Sequence, residues 1–119
     1  MKKIEAIIRK SKFEDVKQSL FDADIDWFSY WDITGLGKST EEQVVRGQVF
    51  KSGYIQRRMI SIVVRDVNVE KTVKAIISSA QTGEQGDGKI FVYDIEETYR
   101  IRNGESGPAA LYNNETTEA

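Results

Sequence analysis

The sequence predicts an α+β domain with the element order β-α-β-β-α-β, on three observations. Apolar residues alternate at Ile4, Ala6 and Ile8, two later segments repeat apolar residues at helical spacing, and runs rich in aromatic and β-branched residues follow each of them. The first strand is expected over residues 2–9, with one apolar and one mixed face. Ser11 and Glu14 stand three apart, as in a capping box, and Phe13, Val16, Leu20 and Phe21 share a helical face, so a helix is expected over 12–23. Asp22 to Asp26 supplies a turn, and Trp27-Phe28-Ser29-Tyr30-Trp31-Asp32-Ile33-Thr34 the second strand. Met59 to Val64 restores a strand. Asn68 is placed to cap a helix whose apolar face is Val69, Val73, Ile76, Ile77 and Ala80. The fourth strand begins at Lys89, and Thr98 to Arg102 makes one more short strand. This order is the ferredoxin-like double split unit, an antiparallel sheet carrying two helices on one face.

Two helices leave the second face of such a sheet without cover. Trp27 and Trp31 stand four apart in the second strand, which admits two readings: an exposed apolar sheet surface that favours oligomerisation, or ordinary core residues beneath the helices.

The chain of 119 residues is expected to fold as one domain over 1–111, followed by a polar tail, 112–119, expected to be disordered. With 17 basic and 19 acidic residues the net charge is −2, which gives no broad basic field for wrapping a nucleic-acid backbone, so any anion must be caught locally. No cysteine and no histidine are present, which excludes disulfides, thiolate nucleophiles, imidazole bases and the usual zinc ligands. Glu5 and Arg9 interrupt the first apolar run, so neither a secretion signal nor a membrane span is expected there, and a cytoplasmic protein is.

Two segments carry the chemistry. Between Gly37 and Tyr54 the residues are mostly polar and show no sustained period, and a connection this long in a small domain tends to be functional. Later, Thr82-Gly83-Glu84-Gln85-Gly86-Asp87-Gly88-Lys89-Ile90-Phe91-Val92 sets a glycine-rich turn against a β-prone run. Gly83, Gly86 and Gly88 can take positive φ, so successive backbone N–H groups can converge on a phosphate that Lys89 neutralises; the same run also reads as plain turn chemistry. Arg100 and Arg102 are two apart on a predicted strand, hence on one face, and with Lys38 and Lys89 they make a count of cations suited to a di- or triphosphate.

The run Thr82 to Val92 resembles the C-terminal signature of the PII nitrogen-regulatory signal-transduction proteins. The resemblance extends through Met1-Lys2-Lys3-Ile4-Glu5-Ala6-Ile7-Ile8-Arg9, Gly35-Leu36-Gly37-Lys38, Arg46-Gly47 and Arg100-Ile101-Arg102-Asn103-Gly104-Glu105, and so spans most of the chain. It implies a homotrimer that binds ATP or ADP between subunits, with Ser29, Gly35, Gly37, Lys38, Val63, Gly86, Asp87, Gly88, Lys89, Arg100 and Arg102 as the nucleotide-binding positions. It also implies that residues 37–55 form the family's T-loop, whose Arg46, Gly47 and Phe50 meet a partner such as an ammonium transporter or a nitrogen-metabolism enzyme. Where typical members read Tyr-Arg-Gly-x-x-Tyr, this chain reads Val45-Arg46-Gly47-Gln48-Val49-Phe50, and Phe50 has no hydroxyl to be nucleotidylylated. Ser39 replaces the glutamine that helps hold Mg²⁺ beside ATP and 2-oxoglutarate, and either Arg57 or Arg58 can replace the lysine that grips the effector's carboxylate, so effector binding is left open in both directions.

Three functional readings follow. A nucleotide-sensing regulator accounts for the glycine turn, the cations and the long loop together. A weak ATPase, or an energy-state sensor indifferent to 2-oxoglutarate, is the alternative, although no well-placed base is evident: Ser61 stands where many PII proteins have glutamate. An RNA-binding sheet shares the topology, but Gly88-Lys89-Ile90-Phe91-Val92 is a poor RNA-binding string and the net charge is negative. A regulator rather than an enzyme is the expectation.

Overall fold

The computed structural model describes the backbone of residues 1–45 and 48–111 and, within these, the side chains outside 39–52. Four strands, β1 (Lys2–Ile8), β2 (Ser29–Val45), β3 (Gln48–Val64) and β4 (Lys89–Asp94), form one antiparallel sheet in the order β2-β3-β1-β4. Two helices, α1 (Phe13–Asp22) and α2 (Val69–Ala80), follow β1 and β3, each entered through a single 3₁₀ turn. This is the expected β-α-β-β-α-β order.

Alternation in β1 decides which face is covered. Ile4, Ala6 and Ile8 are buried and pair across the sheet with Ile62, Ile60 and Arg58 of β3, while Ile4 and Ala6 face Val92 and Ile90 of β4. Phe13, Val16 and Leu20 of α1 and Ala75, Ile76 and Ala80 of α2 close over them, together with Ile25. Each fully buried Ile or Leu here contributes about 1.5–3 kcal/mol of transfer free energy, so the cluster is the main source of stability. The intervening residues, among them Ile7, Trp31, Met59, Val63, Phe91 and Tyr93, alternate onto the opposite face, where neither helix lies over them. Trp31, Phe91 and Tyr93 are 43–45% exposed there and Trp27, just before β2, is 67% exposed. Neither tryptophan is a core residue, which selects the exposed-surface reading.

α1 ends in a Schellman motif. Ile25 N–H donates to the Leu20 carbonyl at 2.9 Å and Asp24 N–H to the Phe21 carbonyl at 3.0 Å, with Asp24 in the left-handed region at φ 63. A residue with a Cβ is strained there, so Asp24→Gly is expected to stabilise the fold by roughly 0.5–1 kcal/mol in urea unfolding. Unchanged or lower stability would mean that the aspartate makes up for its strain in some other way.

Several local expectations are corrected. The Ser11–Glu14 capping box does not form, because Ser11 lies inside the 3₁₀ turn Lys10–Lys12 and α1 starts from Lys12 without a side-chain cap. Asn68 likewise gives α2 no side-chain cap; it is buried, and its carbonyl accepts the Thr72 hydroxyl at 2.7 Å. On α2 the buried stripe is Thr72, Ala75, Ile76 and Ala80, whereas Ile77 and, on α1, Phe21 are exposed, because α1 and α2 pack on each other as well as on the sheet. Residues 98–102 are no strand: a single bridge joins Tyr99 to Ser106 and a turn follows at 101–103. The long polar connection is drawn out as a hairpin, since β2 and β3 continue their pairing from Leu36–Tyr54, across an irregularity, to Val45–Gln48. The tail 112–119 lies outside the described residues.

Candidate functional site

β4 begins where the glycine turn ends, and the pairing of Ile7 with Lys89 sets that turn beside the C-terminal end of β1. Gly83, Gly86 and Gly88 adopt φ of 87°, 98° and 106°, as a tight anion-binding turn requires. At Gly88 the backbone runs so close to β1 that a Cβ would stand 1.7 Å from the Ile7 carbonyl oxygen.

The turn is organised from inside by Asp87. Its carboxylate accepts the Thr82 hydroxyl, the Thr82 N–H at 2.8 Å, the Gly83 N–H at 2.9 Å and Arg9 Nε at 3.1 Å. These donors, the Thr82 hydroxyl and N–H foremost and then Arg9 and the Gly83 N–H, outweigh partial burial and hold the Asp87 carboxyl well below the usual carboxylate range. Glu84 N–H is occupied too, by the Thr82 hydroxyl oxygen at 3.2 Å. Among the described residues the N–H groups of Gln85, Gly86, Asp87 and Gly88 meet no acceptor, so these are the donors left for an external anion.

Two arginines support the turn from the sheet. Arg9, following β1, donates through its second guanidinium nitrogen to the Gln85 carbonyl at 3.0 Å. Arg57, on β3 opposite Ile33, donates to the Gly86 carbonyl at 3.0 Å and to the Gln56 carbonyl at 2.8 Å. Lys89, exposed at the start of β4, lies at the same end of the sheet. Gly86, Asp87, Gly88, Lys89 and Arg57 are therefore brought together by the fold.

Others are placed apart. Gly35 lies opposite Ile55 on the hairpin; Gly37 and the exposed Lys38 lie within the irregularity between Leu36 and Glu41. Ser29 pairs with Ser61 and Val63 with Lys3, which puts both on the open sheet face, farther along the sheet from the turn. β4 runs antiparallel to β1, Asp94 opposite Lys2, so the chain leaves the sheet about 20 Å from the turn at its other end. Beyond it, Arg100 sits in a closed loop, its N–H on the Glu105 carbonyl at 2.7 Å and its guanidinium on the Glu105 carboxylate and, at 2.8 Å, the Ala109 carbonyl. Arg102, exposed, follows in the turn. The expected shared strand face of Arg100 and Arg102 is thus replaced by a loop that Arg100 itself organises. Ser39, Arg46, Gly47 and Phe50 fall outside the described side chains.

Sequence reasoning missed Arg9 and the internal role of Asp87 and Thr82. Nothing local marks Arg9, whose partners lie 76 and 78 residues away. The spacing of Thr82 and Asp87 inside a glycine-rich run is a signal that could have been read as an internal turn lock.

Comparison with known proteins gives one consistent result. The family model described as Nitrogen regulatory protein P-II matches residues 1–105. The Nitrogen regulatory protein P-II of Pasteurella multocida is 41% identical over 112 residues, covering 93% of this chain and all of that protein. Nitrogen regulatory protein P-II 1 of Escherichia coli strain K12 is 39% identical over the same span and coverage. The solved structure of B. subtilis GlnK superposes with a TM-score of 0.77 at 35% identity, covering 92% of this chain and 97% of that one.

Proposed function

This chain belongs to the nitrogen regulatory protein P-II family, and from that premise we propose that it senses adenine nucleotides and passes the bound state to a partner protein. Its role as a nitrogen signal-transduction regulator follows from the family; the ligand, the assembly and the partner are the proposal. The observation that supports it best is the glycine turn, with free N–H groups at Gly86 and Gly88, beside the exposed Lys89. Such a turn suits the phosphates of ATP or ADP, which Lys38, Arg100 and Arg102 would neutralise further.

Because the chain leaves the sheet at the end opposite the turn before it reaches Arg100 and Arg102, a site that uses both groups is read as one completed by a second copy of the chain. The open face with Trp31, Met59, Phe91 and Tyr93 is the apolar surface that a homotrimer would bury, with Ser29 and Val63 carried to the subunit boundary. Residues 37–55 would act as the T-loop, with Arg46, Gly47 and Phe50 on an ammonium transporter or a nitrogen-metabolism enzyme. The protein works in the cytoplasm as a regulator, without an efficient catalytic step of its own. Among the described residues no helix is long and apolar enough to cross a membrane.

Titration calorimetry of ATP and ADP with Mg²⁺, with and without 2-oxoglutarate, tests the reading. No nucleotide binding would end it. Affinity raised by 2-oxoglutarate would mark an effector-integrating sensor despite Ser39; an indifferent affinity would mark an energy-state sensor. The second outcome has an observation in its favour, since the Arg57 guanidinium already serves the Gly86 and Gln56 carbonyls and an effector carboxylate would have to compete for it.

Two substitutions sharpen the test. Arg102→Ala is expected to weaken ATP and ADP by one charge-assisted contact, about 1.5–3 kcal/mol, with the fold intact by circular dichroism. Equal affinity would remove Arg102 from the site. Arg46→Ala is expected to reduce capture of an ammonium transporter in pull-down while nucleotide affinity stays put, and a joint loss of both would make the loop structural.

A further inference from the structure

We infer that Arg9 and Arg57 are positioning residues that aim the N–H groups of the glycine turn outward, a role that rests on the reading of this turn as a phosphate site. Ile8 pairs with Arg58, so the flanking residues come to neighbouring positions, Arg9 just past the end of β1 and Arg57 on β3, and both reach the turn. They take two successive carbonyls: Arg9 holds Gln85 at 3.0 Å and Arg57 holds Gly86 at 3.0 Å.

Among the described residues all peptide bonds are trans, and in a trans peptide the C=O and the following N–H point in opposite directions. Drawing the Gln85 carbonyl to Arg9 therefore turns the Gly86 N–H away from Arg9, and drawing the Gly86 carbonyl to Arg57 turns the Asp87 N–H away from Arg57. Gly86 at φ 98 permits the two successive peptides to turn their carbonyls to the same side. Without the arginines the same carbonyls would be satisfied by water in many orientations, and an arriving anion would have to order the turn first. The second consequence is electrostatic. Two guanidiniums side by side under the turn are tolerated because Asp87 and two carbonyl dipoles face them, and a ligand anion adds to that compensation. Arg57 also belongs to the hairpin, opposite Ile33, so the geometry of the turn and the described base of the hairpin at Gly53–Gln56 share one side chain.

The test uses the full chain without ligand and then with MgATP. In ligand-free Arg57→Ala the Gly86 and Asp87 amide signals are expected to shift, and exchange of the Thr82 and Gly83 amides held by Asp87 to quicken by about threefold, as one restraint on the turn is lost. MgATP affinity should fall by about tenfold, and Arg57→Lys, which keeps one donor for the Gly86 carbonyl, should recover it to within about threefold. Arg9→Lys, which cannot reach Asp87 and Gln85 together, should fall between the two. Unchanged turn amides in ligand-free Arg57→Ala would overturn the inference, whether or not affinity drops, because the arginine would then act on the ligand or not at all. Should Arg57→Ala not fold, Arg57→Met keeps the stem, removes every donor and gives the same readout. If the unmutated chain binds neither ATP nor ADP, the nucleotide reading falls, while the ligand-free amide signals still decide whether the arginines aim the turn.

Discussion

Gly88→Ala is expected to be among the most damaging single changes in this protein. Gly88 sits at φ 106, where a Cβ is strained, and that Cβ would stand 1.7 Å from the Ile7 carbonyl oxygen and 2.8 Å from its carbon. Both contacts are backbone, so no side chain can swing aside; β4 would have to move off β1 or the turn would have to open. Strain and overlap together should cost more than about 3 kcal/mol in urea unfolding. The displaced turn should also lose nucleotide binding in calorimetry. Gly83→Ala is the control: at φ 87 with open space around it, only strain remains, about 1–2 kcal/mol. Equal behaviour of the two variants would show that the close approach at Gly88 is relieved at little cost.

Asp87→Ala should be the next most severe at the site. One carboxylate gathers Thr82, Gly83 and Arg9, so its removal releases two backbone N–H groups and a hydroxyl at once and lets the turn relax. ATP affinity is expected to fall by at least about tenfold, with Asp87→Asn between, because the amide keeps one acceptor oxygen but loses the charge. The charge has a pH signature. A carboxyl held below its ordinary value in the folded state contributes stability that is fully present above the unfolded carboxyl pKa, about 4, and is lost as pH falls through the lower folded value. The stability gap between the unmutated chain and Asp87→Asn should therefore be flat above about pH 5 and shrink below about pH 4. Urea unfolding at several pH values measures it, and a gap that does not narrow in acid would mean the charge on Asp87 is not what locks the turn.

Much of the architecture was legible because it depends on short-range pattern. Alternation at Ile4, Ala6 and Ile8 named the buried face of β1, and Val16 and Leu20 named the buried stripe of α1. The caps were less legible, since Ser11 and Asn68 carry suitable side chains but both fall inside 3₁₀ turns that precede the helices. Neither presents its side chain to the first helical N–H groups. The Thr98–Arg102 strand failed for a related reason: β-prone residues need a free sheet edge in register, and the C-terminal segment instead closes on itself through Arg100, Glu105 and Gly107.

At the site, the division follows the range of the interactions. Glycine spacing and the following Lys89 were enough to find the turn, since positive φ is a property of single residues, and the ordered string of motifs from Met1 to Glu105 was enough to find the family. Only the tertiary structure could show that Asp87 spends its carboxylate on the turn itself, that Arg9 and Arg57 converge beneath it, and that the chain leaves the sheet at the far end before Arg100 closes a loop on Glu105. Each of these depends on strand register, which joins residues dozens of positions apart by hydrogen bonds that no local pattern encodes.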